Sequence, residues 1–136
     1  MSNGYAGDVD PTQAWQLLTE NPDAVLVDVR TQAEWTFVGV PDASPAGRRT
    51  LFVEWNTARG RNVDFIAELK AQGVGDGPVL FICRSGQRSI GAAQAATAAG
   101  FGPAYNITEG FEGPLDANRH RGAIGWKAAG LPWKQT

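Results

Sequence analysis

Residues 79–96, V-L-F-I-C-R-S-G-Q-R-S-I-G-A-A-Q-A-A, gather the side chains most able to do chemistry. The chain's single cysteine, Cys83, is followed by Arg84, Ser85, Gly86, Gln87, Arg88 and Ser89. A lone cysteine that closes an apolar run is usually a small core hydrophobe. Its neighbours change that reading. A polar loop leading straight into a helix turns its backbone N–H groups toward its own centre, which is an anion-binding arrangement. Gly86 permits the positive φ that a tight curl needs. The helix dipole and the guanidinium groups of Arg84 and Arg88 both favour thiolate over thiol. A nucleophile and an anion pocket are therefore expected together.

Other chemistries are narrowed by counting. One cysteine excludes an internal disulfide and a thiolate metal cluster, and one histidine, His120, excludes a multi-histidine metal site. A cysteine hydrolase wants a histidine base beside its thiol. His120 lies in N-R-H-R-G-A-I-G, which reads as a solvated surface loop. The thiol is thus expected to be activated by its own loop, with no cofactor. Twelve basic against 14 acidic residues give a net charge of −2, which argues against nucleic acid as a partner. No run approaches the ~20 apolar residues of a membrane span, and M-S-N-G-Y-A-G-D-V-D-P has no secretory pattern. A cytoplasmic location with a reduced thiol is expected.

The elements that must position the loop follow from local signals. At 136 residues and 43% apolar composition, the chain is expected to form one domain, with 110–136 a C-terminal extension docked on it. Asp10-Pro11-Thr12-Gln13 predicts a capped helix with Ala14, Trp15, Leu17 and Leu18 on its apolar face and Asn21-Pro22 as its stop. Ala24–Val29 predicts a buried strand. Thr31-Gln32-Ala33-Glu34 has capping-box spacing and predicts a short helical turn. Residues 38–49 read as a loop, and Thr50–Trp55 as a further strand. Asn62 is the expected cap of a helix with Val63, Ile66 and Leu69 on one face and Gly73 as its stop. Strands at 78–82 and 104–107 flank a helix from Gln87 to Ala99. A helical turn is expected near Trp126–Ala129.

Alternating strands and helices predict a three-layer α/β domain whose central sheet is mainly parallel. Ligands in such sheets bind beyond the carboxyl ends of the strands, where Cys83 and Asp28 both fall.

Cys83-Arg84-Ser85-Gly86-Gln87-Arg88-Ser89 resembles the active-site loop of the rhodanese family of single-domain sulfurtransferases. Leu26-Val27-Asp28-Val29-Arg30 with Glu34-Trp35, then Gly39 and Pro41, is similar to the family's N-terminal pattern. The resemblance runs from about Val9 to Gly113. Val40-Pro41-Asp42-Ala43 departs from it, standing where the family usually has a histidine-containing stretch.

The resemblance implies a rhodanese-like fold and a persulfide mechanism. Cys83 would take a sulfane sulfur from thiosulfate or a similar small anionic donor and pass it to a thiol or to cyanide. Residues 84–89 would bind the anion, with Arg84 at the pocket mouth and Arg88 bracing the loop. Asp28 and Arg30 are expected to support the site, Asp28 by holding the loop or Arg88; the plainer alternative makes Asp28 a turn cap and pairs Arg30 with Glu34 on the surface. Trp35 reads as core.

Two rivals remain at this stage. One is a non-catalytic rhodanese-like module that binds a partner or senses redox state. The other is a phosphatase or arsenate reductase, whose resemblance is to a loop with five residues between cysteine and arginine. Here four residues separate Cys83 from Arg88, which leaves a smaller cradle.

Overall fold

Asp10 and Thr31 each start a helix as their sequences predict. Asp10 accepts from Gln13 N while Gln13 reaches back to the Asp10 N–H, and Thr31 and Glu34 repeat the arrangement. Each capping box satisfies backbone donors that a helix start leaves orphaned. These helices belong to a computed structural model that describes residues 4–135. The elements in chain order are β1 (Gly7–Val9), α1 (Pro11–Glu20), β2 (Val25–Asp28), α2 (Gln32–Val38), β3 (Val40–Pro41), β4 (Arg49–Phe52), β5 (Asn56–Thr57), β6 (Gly60–Arg61), α3 (Phe65–Ala71), β7 (Val79–Ile82), α4 (Arg88–Ala98), β8 (Ala104–Ile107) and β9 (Trp133–Lys134).

Five strands form one sheet in the order β1-β8-β7-β2-β4, every neighbouring pair parallel. The all-apolar run of β7 lies at its centre, buried on both faces, as parallel strands usually are. Side chains alternate across the sheet. Val27, Val29, Phe81 and Cys83 face a layer holding Phe65 and Leu69 of α3 and Ala92, Ala93 and Ala96 of α4. Leu26, Leu80 and Ile82 face a second layer holding Ala14 and Leu18 of α1, Phe111 and Trp126. Fully burying one such Leu or Phe side chain is worth about 1.5–3 kcal/mol, so these two layers hold the sheet edge that carries the cysteine. The result is an α/β fold with a five-stranded parallel sheet flanked by helices.

Two local expectations need correction. Residues 38–49 are not a plain loop: β3 pairs antiparallel with β9, and Ser44–Ala46 form a 3-10 turn. The partner of β3 lies some 90 residues onward, beyond any local signal. Asn62 does not cap α3. Its Oδ1 accepts from Asp64 N, and its amide donates to Glu54 O and Glu68, so it builds the turn before the helix. Phe65 and Leu69 supply the buried face, and Val63 is 92% exposed. The helical turn expected at Trp126–Ala129 is present, closed by Ala129 N donating to Gly125 O at 2.9 Å, and Trp126 within it is fully buried. It packs edge-on to Trp15 and its indole N–H donates to Pro132 O.

Candidate active site

β7 delivers Cys83 at its carboxyl end, and residues 84–87 curl back into α4. No side chain caps α4, and Gln87 at the cap position is itself helical in φ and ψ. The donors that a cap would satisfy turn to the sulfur. Cys83 Sγ accepts from Gly86 N at 3.2 Å and Ser89 N at 3.4 Å, and lies 3.2 Å from Ser89 Oγ. Two backbone amides at a helix N-terminus, converging on one atom, favour negative charge there. The curl needs its glycine. Gly86 has φ +94°, and a Cβ there would lie 3.2 Å from Glu109 N.

The segment after β8 closes the loop from below. Phe111 N donates to Cys83 O at 2.8 Å, and Glu112 N and Gly113 N donate to Arg84 O at 3.0 and 3.2 Å. This contact is close enough to demand glycine at 110, where a Cβ would lie 2.5 Å from the carbonyl oxygens of both Cys83 and Arg84. Cys83 itself has no exposed surface.

The two arginines of the loop part company. Arg84 is exposed and makes no side-chain hydrogen bond or ion pair with another described residue. Arg88 grips Glu34 of α2 through two bonds, Nη1 to Oε1 at 2.8 Å and Nη2 to Oε2 at 3.0 Å, with both side chains about a fifth exposed. Burial alone would raise the Glu34 pKa. The bonds from Arg88 and Thr31, with the charge of Arg88, outweigh it and hold the carboxyl at about 2. The hydrogen bond that Arg88 donates to Glu34 raises the Arg88 pKa in turn, and the charges of Glu34 and of the Cys83 sulfur add to the same effect.

Asp28 makes no hydrogen bond to Arg88, which feels its charge only weakly, and Arg30 does not meet Glu34 on the surface. Asp28 and Arg30 are fully buried and pair with each other at 2.8 Å. Arg30 also donates to Gly39 O at 2.7 Å and lies 4.3 Å over the ring of Phe111. The reason is register. Asp28 sits opposite Ile82, so its side chain shares the face of Ile82, whereas Cys83, one residue on, faces the other layer. Trp35 is half-buried rather than core, edge-on to Phe52 at 5.4 Å.

Ser85, Gly86 and Gln87 line an open cavity of about 290 Å³ with Asp8, Asn106, Thr108 and Glu109. A larger cleft of about 420 Å³, between Glu112, Arg121, Lys127 and Trp133, does not include the thiol loop. Chemistry rather than size marks the site. His120 is exposed, its N–H held by Asp116 in a turn. Among the described residues no group of acids, histidines and cysteines is placed to hold a metal ion.

The rhodanese-like domain family matches residues 10–116, a span that holds the Cys83 loop, Asp28, Arg30 and Glu34. The chain belongs to the rhodanese family. The crystal structure of Rv0390 from M. tuberculosis superposes with a TM-score of 0.89 at 60% sequence identity, covering 97% of this chain and 99% of that one. An uncharacterised protein of Rickettsia rickettsii is 37% identical over 125 residues, 90% of this chain and 93% of its own length. The thiosulfate sulfurtransferase GlpE of Actinobacillus pleuropneumoniae is more distant, at 29% identity over 125 residues, 92% of this chain and 90% of its own.

Two features of this rhodanese-like domain escaped the sequence reading. Glu34 seemed fully explained by its capping box, yet it also anchors Arg88, 54 residues away. Asn106 is buried and bonded to Ser89 Oγ. Its signal was available: a polar residue inside the apolar strand A-Y-N-I that neighbours β7.

Proposed function

We propose that this protein is a sulfurtransferase that carries sulfane sulfur as a persulfide on Cys83. The observation that supports this best is the convergence of Gly86 N and Ser89 N on a single sulfur atom. In the first step the Cys83 thiolate attacks the outer sulfur of thiosulfate. The S–S bond of the donor breaks, sulfite leaves with the bonding pair, and Cys83–S–S⁻ remains. In the second step cyanide or a thiolate attacks the outer sulfur and Cys83 departs as thiolate. With cyanide the product is thiocyanate, and charge balances in both steps. The amides that face Sγ at rest favour the negative charge it carries as attacking and departing thiolate, which is how a preorganised anion hole lowers a barrier. Arg84, exposed and unengaged, meets the sulfonate end of the donor at the rim of the loop.

The phosphatase reading is disfavoured by Arg88. A phosphate cradle needs an arginine free to cup three oxygens, and here that guanidinium is committed to Glu34 through both terminal nitrogens. The test is an intact mass spectrum after thiosulfate, then after cyanide. The expected result is a gain of one sulfur, lost again with release of thiocyanate, and neither event in Cys83→Ser. Undiminished thiocyanate formation by that variant would sink the mechanism.

A further inference from the structure

A row of polar side chains leads away from the thiol across the edge of the sheet. Ser89 Oγ lies 3.2 Å from Cys83 Sγ and 2.5 Å from Asn106 Oδ1. Asn106 is 2% exposed, and its Nδ2 donates to Asp8 Oδ1 at 2.9 Å. Tyr5 OH donates to the same oxygen at 2.8 Å. The strand register makes the row: Asp8 of β1 stands opposite Asn106 of β8, which stands opposite Phe81 of β7, on the face that Cys83 shares.

Hydrogen-bond directions in this row are dictated by chemistry. An ionised carboxylate only accepts, so Asn106 must turn its NH₂ to Asp8 and its carbonyl oxygen to Ser89. That oxygen only accepts, so the one hydroxyl hydrogen of Ser89 points to Asn106. A lone pair of Ser89 Oγ is then left facing the sulfur. This arrangement suits an S–H that donates to Ser89 and opposes a thiolate or a persulfide anion. To stabilise sulfur anions, the Ser89 hydroxyl must leave Asn106 and turn to Cys83.

We infer that Asn106, fixed by Asp8, is a positioning residue that sets the direction of the Ser89 hydroxyl and so holds Cys83 in its thiol form at rest. The loop amides and Arg88 pull the other way, and Asn106 is the restraint they work against. Glu34 reaches the sulfur only through Arg88, and Asp28 lies on the opposite face of the sheet. The inference rests on the proposed sulfur transfer only in taking Cys83 as the reacting group.

The test reads thiolate directly, by ultraviolet thiolate absorbance of the full chain at neutral pH, with Cys83→Ser as blank. Asn106→Leu keeps the volume and removes the competing acceptor, and Asp8, being exposed, keeps Tyr5 and water as partners. The thiolate-to-thiol ratio should rise about tenfold, the size expected for gaining a hydrogen bond to a charged group. Asp8→Ala, at an exposed position that should not impair folding, frees the Asn106 amide to turn and should give a smaller rise in the same direction. In a Ser89→Ala background neither change should alter the ratio, whereas an effect of the Asp8 charge alone would persist there. An unchanged or lower ratio in both single variants, or an equal rise with and without Ser89, overturns the inference. Thiocyanate release is measured in parallel. Its absence alongside the expected absorbance pattern would remove the sulfur-transfer reading and leave the role of Asn106 standing.

Discussion

Replacing Glu34 by Gln tests whether Arg88 braces the active loop through α2. Glutamine still serves as the third residue of a capping box, so the bond to Thr31 survives and only the charge opposite Arg88 is lost. The magnitude follows from the carboxyl pKa, about 2 in the folded chain against an ordinary 4.5. A full conversion of that difference would give on the order of 3 kcal/mol. Both side chains keep about a fifth of their surface in water, so solvent screening brings the expected loss to roughly 1–2 kcal/mol. For a chain of 136 residues, an unfolding entropy of about 2 cal/mol/K per residue turns that into a fall of roughly 4–7 °C in Tm.

The pH dependence gives this prediction its sign. Glu34 is depressed in the folded state, so its contribution is fully present above the unfolded value near 4.5. It is lost as pH falls from there toward 2. Melting wild type and Glu34→Gln side by side should show the full gap in Tm at pH 7 and less than half of it at pH 3. A gap that stays constant from pH 7 to pH 3 would show that the carboxylate charge contributes nothing. A gap that widens in acid would reverse the reasoning.

Two further substitutions separate the remaining charged groups. Arg84→Ala should cut thiosulfate turnover by roughly one to two powers of ten while leaving Tm unchanged, since its exposed side chain has no polar partner among the described residues; a matching fall in Tm would make it a structural residue. Asp28→Asn strands the fully buried Arg30 charge and should cost about 3–5 kcal/mol in urea unfolding; a loss below about 1 kcal/mol would mean that the pair is not the anchor its burial suggests.

What the sequence made legible was local. Asp10 and Thr31 were readable as helix starts because a capping box spans four adjacent residues. The Cys83 loop was readable because strand, polar curl and helix follow one another without a break. Pairings that span the chain were not. Arg88 and Glu34 meet because α2 and α4 both begin near the carboxyl edge of the sheet, and nothing in either neighbourhood names the other. The contact of β3 with β9 and the docking of Phe111 under Cys83 have the same character. Asp28 is different, because the expectation of a direct bond to Arg88 could have been avoided. Placing β2 beside β7 with Asp28 opposite Ile82 puts Asp28 and Cys83 on opposite faces by period-two alternation alone. Sharing a sheet edge is not the same as sharing a face.

That distinction explains how two motifs far apart in sequence serve one atom from opposite faces, touching each other where Glu34 meets Arg88. On one face the sulfur meets the amides of Gly86 and Ser89, the Ser89 hydroxyl and, at longer range, the charge of Arg88. On the other face Asp28 orients Arg30, which covers the ring of Phe111 and holds the Gly39 carbonyl. The Phe111 N–H in turn grips the carbonyl of Cys83. A buried ion pair gains little net stability once its desolvation is counted. It does fix the direction of the planar guanidinium, and through Phe111 that direction is passed to the backbone of the nucleophile. The charged groups behind the sheet therefore set where Cys83 stands, and those in front set what its sulfur can do.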